Sequence, residues 1–320
     1  MNNVNRNIKV LWQSDSSFIN KDSLYNEYRR KWFKNPENRE VSTFPLFLDI
    51  EATSVCNLKC PNCVQTTTDF KKGFMDFELF KKIIDEASDN GCYGCKFHTV
   101  GRGEPLLHKD IVKMVAYAKK KGLIDVYINT NGILLKSIMI DNLLDAGIDM
   151  IAISIDGYTP AVYNKYRPNV NFSNLAYWIV PELYRRRDSG GYNTKIRIQT
   201  IKYSDIDLSG FVNFWRGVCD EITCLTYKEM KERKSLQSDW VCPQLWQRMG
   251  ILYNGSVIPC NHDDRGLAIL GNVNDTSILK LWNSSSMNFI RQTHIEGKAH
   301  FLGACDGCYL RISEIERERG

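Results

Sequence analysis

The sequence predicts an α/β protein built from repeated βα units. The alternation of elements carries this reading, and the grouping of the cysteines points to two thiolate sites. Strand-like and helix-like segments alternate from about residue 45 to 230, and eleven cysteines gather mainly at the start of that stretch and in the last eighty residues. A chain of 320 residues suffices for about two domains and a sizeable core. Hydrophobic residues at 43% and charged residues at 25% exclude a disordered or low-complexity chain. No apolar run approaches about eighteen residues, and MNNVNRNIKVLWQ lacks the pattern of a secretion signal, so neither a membrane span nor a secretion signal is visible. The formal net charge of +5 is spread along the chain without a basic block, which permits nucleic acid without indicating it.

The elements follow in order. Phe47-Leu48-Asp49-Ile50-Glu51 alternates as a strand. A helix is expected near 76–88, a strand near 96–101, a helix near 109–121, a strand near 124–129, a helix near 137–146 and a strand near 149–155. A helical stretch near 171–187 precedes the strand Ile196-Arg197-Ile198-Gln199-Thr200-Ile201. A helix near 207–218 and the strand Glu221 to Tyr227 complete six strands. Before residue 45, Leu24 to Phe33 reads as one amphipathic helix beside a polar loop.

The cysteines stand at 56, 60, 63, 92, 95, 219, 224, 242, 260, 305 and 308. An odd count without a secretion signal argues against a disulfide framework. At this cysteine frequency a C-x-x-C pair arises by chance roughly 0.4 times per chain and a given three-cysteine pattern roughly 0.01 times. Cys56-Asn57-Leu58-Lys59-Cys60-Pro61-Asn62-Cys63 is therefore the strongest signal in the chain. It lies on the loop leaving the C-terminal end of the first strand, where the active-site loops of α/β barrels sit. Three thiolates on one loop can hold three irons of a cubane cluster and leave the fourth open. The competing readings are a zinc knuckle lacking one ligand and a set of buried free thiols.

With these elements in place, the segment 45–230 resembles the radical S-adenosylmethionine (SAM) superfamily, whose C-x3-C-x2-C loop follows the first strand of a partial (β/α)6 barrel. Gly101-Arg102-Gly103-Glu104-Pro105 resembles that family's Gly-Glu-Pro turn after the second strand. The resemblance implies that Cys56, Cys60 and Cys63 ligate a [4Fe-4S] cluster whose open iron is chelated by SAM. One-electron reduction would then cleave SAM to a 5′-deoxyadenosyl radical that abstracts hydrogen from a substrate. Gly101, Gly103, Glu104 and Pro105 would approach the cofactor, Glu104 pairing with its ammonium. Asn131 in Thr130-Asn131-Gly132, Ser154 in Ser154-Ile155-Asp156-Gly157, Arg167 and Gln199 are further expected cofactor contacts. Where the family usually places an aromatic residue against adenine this chain has Asn62, which leaves that contact to the backbone.

The last eighty residues supply Cys242, Cys260, Cys305 and Cys308. Ile251 to Cys260 reads as a hairpin around Asn254-Gly255, followed by a helical stretch near 277–293. This small βα unit resembles the family's auxiliary-cluster domain, in its full SPASM form or its shortened, four-cysteine twitch form, and implies an auxiliary [4Fe-4S] cluster; structural zinc is the rival. The spacing looks like that of the radical dehydrogenase that oxidises an aminocyclitol. The expected organisation is an N-terminal extension 1–44, the partial barrel 45–230 and the auxiliary domain 231–320.

Cys92, Cys95 and Cys219 read as structural thiols. Cys224, in the sixth strand, is a candidate hydrogen-atom donor to a substrate radical, with plain core packing as the alternative. Lys228 is a candidate base or substrate contact, with a solvated lysine as its alternative. The short N-terminal segment favours a small polar substrate, such as a sugar, aminocyclitol or nucleotide sugar, over a peptide. The leading expectation is a dehydrogenase that turns a carbinol into a ketone, served by a one-electron reductant such as flavodoxin or ferredoxin. The alternatives are an epimerase using Cys224, a peptide-modifying maturase and a non-catalytic iron-sulfur scaffold. Nucleic acid is disfavoured as a partner because no basic strip interleaved with aromatics is evident.

Overall fold

The structure, a computed structural model, describes residues 8–14, 22–97, 101–225 and 234–319. Its centre is a ten-stranded sheet of β1 (Ile8–Gln13), β2 (Phe47–Ile50), β3 (Gly94–Phe97), β4 (Asp125–Thr130), β5 (Met150–Ser154), β6 (Lys195–Ile201), β7 (Glu221–Leu225), β8 (Arg248–Ile251), β9 (Ser256–Ile258) and β10 (Gly271–Asn272). The spatial order is β1-β7-β6-β5-β4-β3-β2-β8-β9-β10, an open sheet. From β8 through β2 to β7 every neighbouring pair is parallel. β1, β9 and β10 add antiparallel edges.

The α/β expectation holds, and β2 to β7 are the six expected strands. β3 begins at Gly94, so Cys95 lies inside the strand rather than before it; residues 98–100 of the expected segment, and Lys228, fall outside the described residues. β1 was not anticipated. It pairs Ile8 with Leu225 and Gln13 with Glu221, an edge contact across more than two hundred residues that local patterning does not encode. β8, in the region expected to be auxiliary, joins the same sheet by pairing Phe47 with Arg248 and Ile50 with Ile251. The expected 277–293 helix is broken into Ile278–Trp282 and Ser285–Ile295, because Ser284 caps the second piece by accepting from Met287 N. A further helix, Tyr309–Arg319, closes the chain.

Strand alternation gives the sheet two unlike faces. Leu48, Ile50, Phe97, Val126, Ile128, Ile151, Ile153, Ile196, Ile198 and Ile222 show no exposure and pack against the surrounding helices. Each such side chain contributes about 1.5–3 kcal/mol of burial. The other face is concave and polar, carrying Asp49, Lys96, Tyr127, Arg197, Glu221 and Arg248. Helix Ser23–Asn38 closes this hollow at the end where the strands start, through Tyr28 and Trp32 packed on Phe47 and Tyr93. Tyr28 Oη donates to Asp125 Oδ2 at 3.2 Å, and Gln247 Nε2 donates to the Trp32 carbonyl at 2.8 Å.

Candidate active site

The cysteine loop leaves β2 and is pinned at both ends. Glu51, buried at the strand end, accepts from Tyr253 N at 3.0 Å and forms an ion pair with Arg102 at 2.9 Å. Further on, Glu104 N donates to Val55 O at 2.8 Å, and Gly103 N to Gln65 Oε1 at 3.3 Å. The Gly-Arg-Gly-Glu-Pro turn thus rests on the cysteine loop. Gly103 has φ +76°, and a Cβ there would stand 1.8 Å from Thr53 O, so only glycine permits the approach.

Cys56, Cys60 and Cys63 border one cavity of about 350 Å³. Burial pushes the Cys56 thiol up to about 11, with the charges of Glu104, Cys63 and Cys60 adding to it. Burial also raises Cys60, against the attraction of Arg167. Such thiols become thiolates when a metal takes them, releasing protons. Among the described residues no three His, Cys, Asp or Glu side chains converge as around a single ion; a cubane, which takes each thiolate on a different iron, asks for a wider set.

Glu104 is buried and held from three sides. Thr130 Oγ1 and Asn131 N donate to it at 2.7 Å each, and Leu106 N at 3.1 Å. Burial raises its pKa against these bonds. A carboxylate offers about four lone-pair positions, so one stays available on the cavity side for a ligand cation. Asn131 Nδ2 donates to Asn57 Oδ1 at 2.8 Å, which fixes the loop after β4 to the cysteine loop. Arg167 Nε donates to Asp156 Oδ2 at 2.8 Å, and its charge reaches Cys60. Gly101, Gly103, Glu104, Asn131, Ser154, Arg167 and Gln199 all line the cavity; Pro105 does not, and instead opens the short turn Pro105–Leu107 behind Glu104.

Cys224 is on the wrong face for a hydrogen donor. Parallel register pairs Gln199 with Thr223 and Ile201 with Leu225, placing Thr223 and Leu225 inward, whereas Cys224 shares the outward side of Ile222. Its thiol approaches its neighbour's carbonyl, Leu225 O, at 3.6 Å, and it is absent from the cavity wall.

In the C-terminal region Cys242, Cys260, Cys305 and Cys308 are mutually close enough for each charge to disfavour the next. Burial pushes Cys242 up to about 12. His294 Nε2 lies 3.2 Å from Cys305 Sγ. Arg311, 1% exposed, has no hydrogen-bond partner for Nε or either terminal nitrogen, and is drawn electrostatically to Cys305, Asp306, Cys308 and Cys242. An orphaned, fully buried guanidinium beside four thiols fits an anionic four-thiolate iron-sulfur cluster. Asn261 and His262, next to Cys260, and Tyr309, next to Cys308, border the same cavity as the first cysteine group.

Sequence reasoning missed the polar floor of the cavity, formed by Lys96, Tyr127, Asn129, Arg197, Gln244 and Arg248. The available signal was charge at alternate positions of buried strands, as in Asp49 and Arg197.

Comparison with known proteins agrees with this geometry. The Radical SAM superfamily profile matches residues 50–203, and the SPASM iron-sulfur cluster-binding domain matches residues 242–309. A tungsten-containing aldehyde ferredoxin oxidoreductase cofactor-modifying protein of Pyrococcus furiosus is 26% identical over 329 aligned residues, covering 83% of this chain and 87% of that protein. The antilisterial bacteriocin subtilosin biosynthesis protein AlbA of Bacillus subtilis is 24% identical, covering 83% and 68%. A probable GTP 3′,8-cyclase of Methanococcus maripaludis is 30% identical over only 43% of this chain and 44% of its own length. Among solved structures, SuiB of Streptococcus suis bound to S-adenosylmethionine superposes with TM-score 0.64 at 18% identity, covering 90% of this chain and 76% of that one. BtrN in complex with AdoMet and 2-DOIA gives 0.58 at 18% identity, covering 82% and 92%; at these identities both show the fold alone. The chain belongs to the radical SAM superfamily and ends in a SPASM domain, with the SAM-binding [4Fe-4S] cluster, the auxiliary iron-sulfur centre and the SAM that this pairing implies.

Proposed function

We propose that this protein dehydrogenates a small polar substrate, taking a carbinol to a ketone. The observation that carries the reading is the single cavity that runs from Cys56, Cys60 and Cys63 to the neighbours of Cys260 and Cys308. A substrate in it would lie between the residues that would hold the two clusters. When bound, the groups would supply reductive SAM cleavage, hydrogen-atom abstraction and an acceptor for the electron that the substrate radical must lose, while its hydroxyl proton passes to solvent.

The chain's own residues position and shield. Cys56, Cys60 and Cys63 hold the first cluster, and Cys242, Cys260, Cys305 and Cys308 the auxiliary one. Glu104 presents its remaining lone pair to the SAM ammonium, and Arg167 sets a positive charge beside Cys60. Asn131, Ser154 and Gln199 supply polar edges along the wall. Tyr28 and Trp32 seal the far end from water. Ketone formation needs no hydrogen returned to the substrate, in keeping with an outward Cys224. A peptide substrate is the second reading, favoured by the likeness to the subtilosin biosynthesis protein.

The test is anaerobic reconstitution followed by iron and sulfide analysis and assay of 5′-deoxyadenosine after reduction. About eight irons are expected, with cleavage abolished and about four irons retained when Cys56, Cys60 and Cys63 are all Ala. Zinc in place of four irons removes the electron-acceptor reading. An intact protein that never cleaves SAM is a scaffold.

A further inference from the structure

The floor of the cavity carries more positive charge than its own carboxylates balance. Lys96, Arg197 and Arg248 line it, with side chains 9%, 20% and 5% exposed. Asp49 takes Lys96 Nζ at 2.9 Å, and one terminal nitrogen of Arg248 spans both its oxygens at 3.3 and 3.2 Å. Glu221 is shared between Arg197 and Lys195. Asp49 and Glu221 therefore serve four cations, three of which, Lys96, Arg197 and Arg248, line the cavity. Glu51 is paired with Arg102 and Asp156 with Arg167; Asp125, which accepts from the neutral Tyr28 hydroxyl, adds one further carboxylate whose charge reaches Arg197, so the cations still outnumber the carboxylates.

Two features show unfilled hydrogen-bonding capacity. Arg248, 4% exposed, has no partner for Nε. The amide oxygens Asn129 Oδ1 and Gln244 Oε1 are likewise buried without partners, and both residues line the cavity. A low-dielectric floor with surplus cations is costly unless an incoming anion supplies the missing charge.

We propose that this floor is an oxyanion subsite in which Lys96, Arg197 and Arg248 hold a carboxylate or phosphate of the substrate while the Asn129 and Gln244 amides accept from its hydroxyls. The inference rests on reading the cavity as the substrate site. It narrows the substrate class to acidic or phosphorylated sugars and turns away aminocyclitols, whose ammonium would meet the same cations.

Calorimetric titration of the reconstituted, unreduced, SAM-loaded protein with glucose, glucosamine, glucuronate and glucose 6-phosphate at fixed ionic strength tests it without turnover. At least tenfold tighter binding of an acidic probe than of glucose is expected, with glucosamine weakest; whichever of glucuronate and glucose 6-phosphate leads identifies the group as carboxylate or phosphate. Lys96→Met should lose that preference at unchanged iron content. If that variant does not fold, the wild-type series decides alone. Equal affinity for all four probes, or none for any at millimolar concentration, overturns the subsite. Anion preference retained in a protein that never cleaves SAM overturns the radical reading instead, so the two failures are distinct.

Discussion

The Nε2 atom of His294 lies 3.2 Å from Cys305 Sγ, while its Nδ1 accepts from Cys242 N at 3.4 Å. The backbone bond fixes the ring proton on Nε2, where it is given to the sulfur. Burial, with the Arg311 charge behind it, pushes the His294 pKa down to about 4, so the ring is neutral at pH 7. One hydrogen bond and one unpaired guanidinium therefore address the same group of thiols.

Both devices stabilise the more negative, reduced form of a cluster. Arg311→Met is expected to lower the auxiliary midpoint potential by about 60 mV or more, a tenfold change for a one-electron couple. Redox titration followed by electron paramagnetic resonance reads it, with iron content unchanged. A purely packing role for Arg311 leaves the potential where it was.

Glu104→Gln should weaken SAM binding at least about tenfold, the loss of one charge-assisted hydrogen bond. The new amide would also place donors against Thr130 and Asn131, which now donate to the carboxylate. Equilibrium binding of SAM to the reconstituted variant checks it, and undiminished affinity refutes the assigned role.

Gly101 and Gly103 should respond differently to alanine. Both have positive φ, +75° and +76°, but a Cβ at Gly101 meets nothing within 4 Å, whereas at Gly103 it strikes Thr53 O. Gly101→Ala should cost about 1 kcal/mol and Gly103→Ala more than about 2 kcal/mol, read by denaturant unfolding.

Asp149 sets a limb of the pH-stability curve. Burial pushes its pKa up to about 6 although Lys119 Nζ lies 2.6 Å away. The folded state thus holds this proton more tightly than the unfolded chain. Stability falls as pH rises from about 4 to 6 and is flat above, by an amount on the order of 2 kcal/mol. Subtracting the Asp149→Asn curve from wild type should isolate that limb; no difference in slope across the window removes the assignment.

The amino-acid sequence by itself determined what depends on near neighbours. The βα alternation, the cysteine loop at 56–63, the Gly-Glu-Pro turn and the Asn-Gly hairpin are all written within a few residues, where periodicity and spacing act directly. Only the tertiary structure decided what depends on register and distant partners. Asp49 meets Arg248 across 199 positions, and β1 finds β7 across a similar span. Cys224 faces outward because the pairing of β7 with β6 puts Thr223 and Leu225 inward. A shift of one residue turns every side chain of a strand to the other face, and no local pattern fixes that choice when both faces are buried.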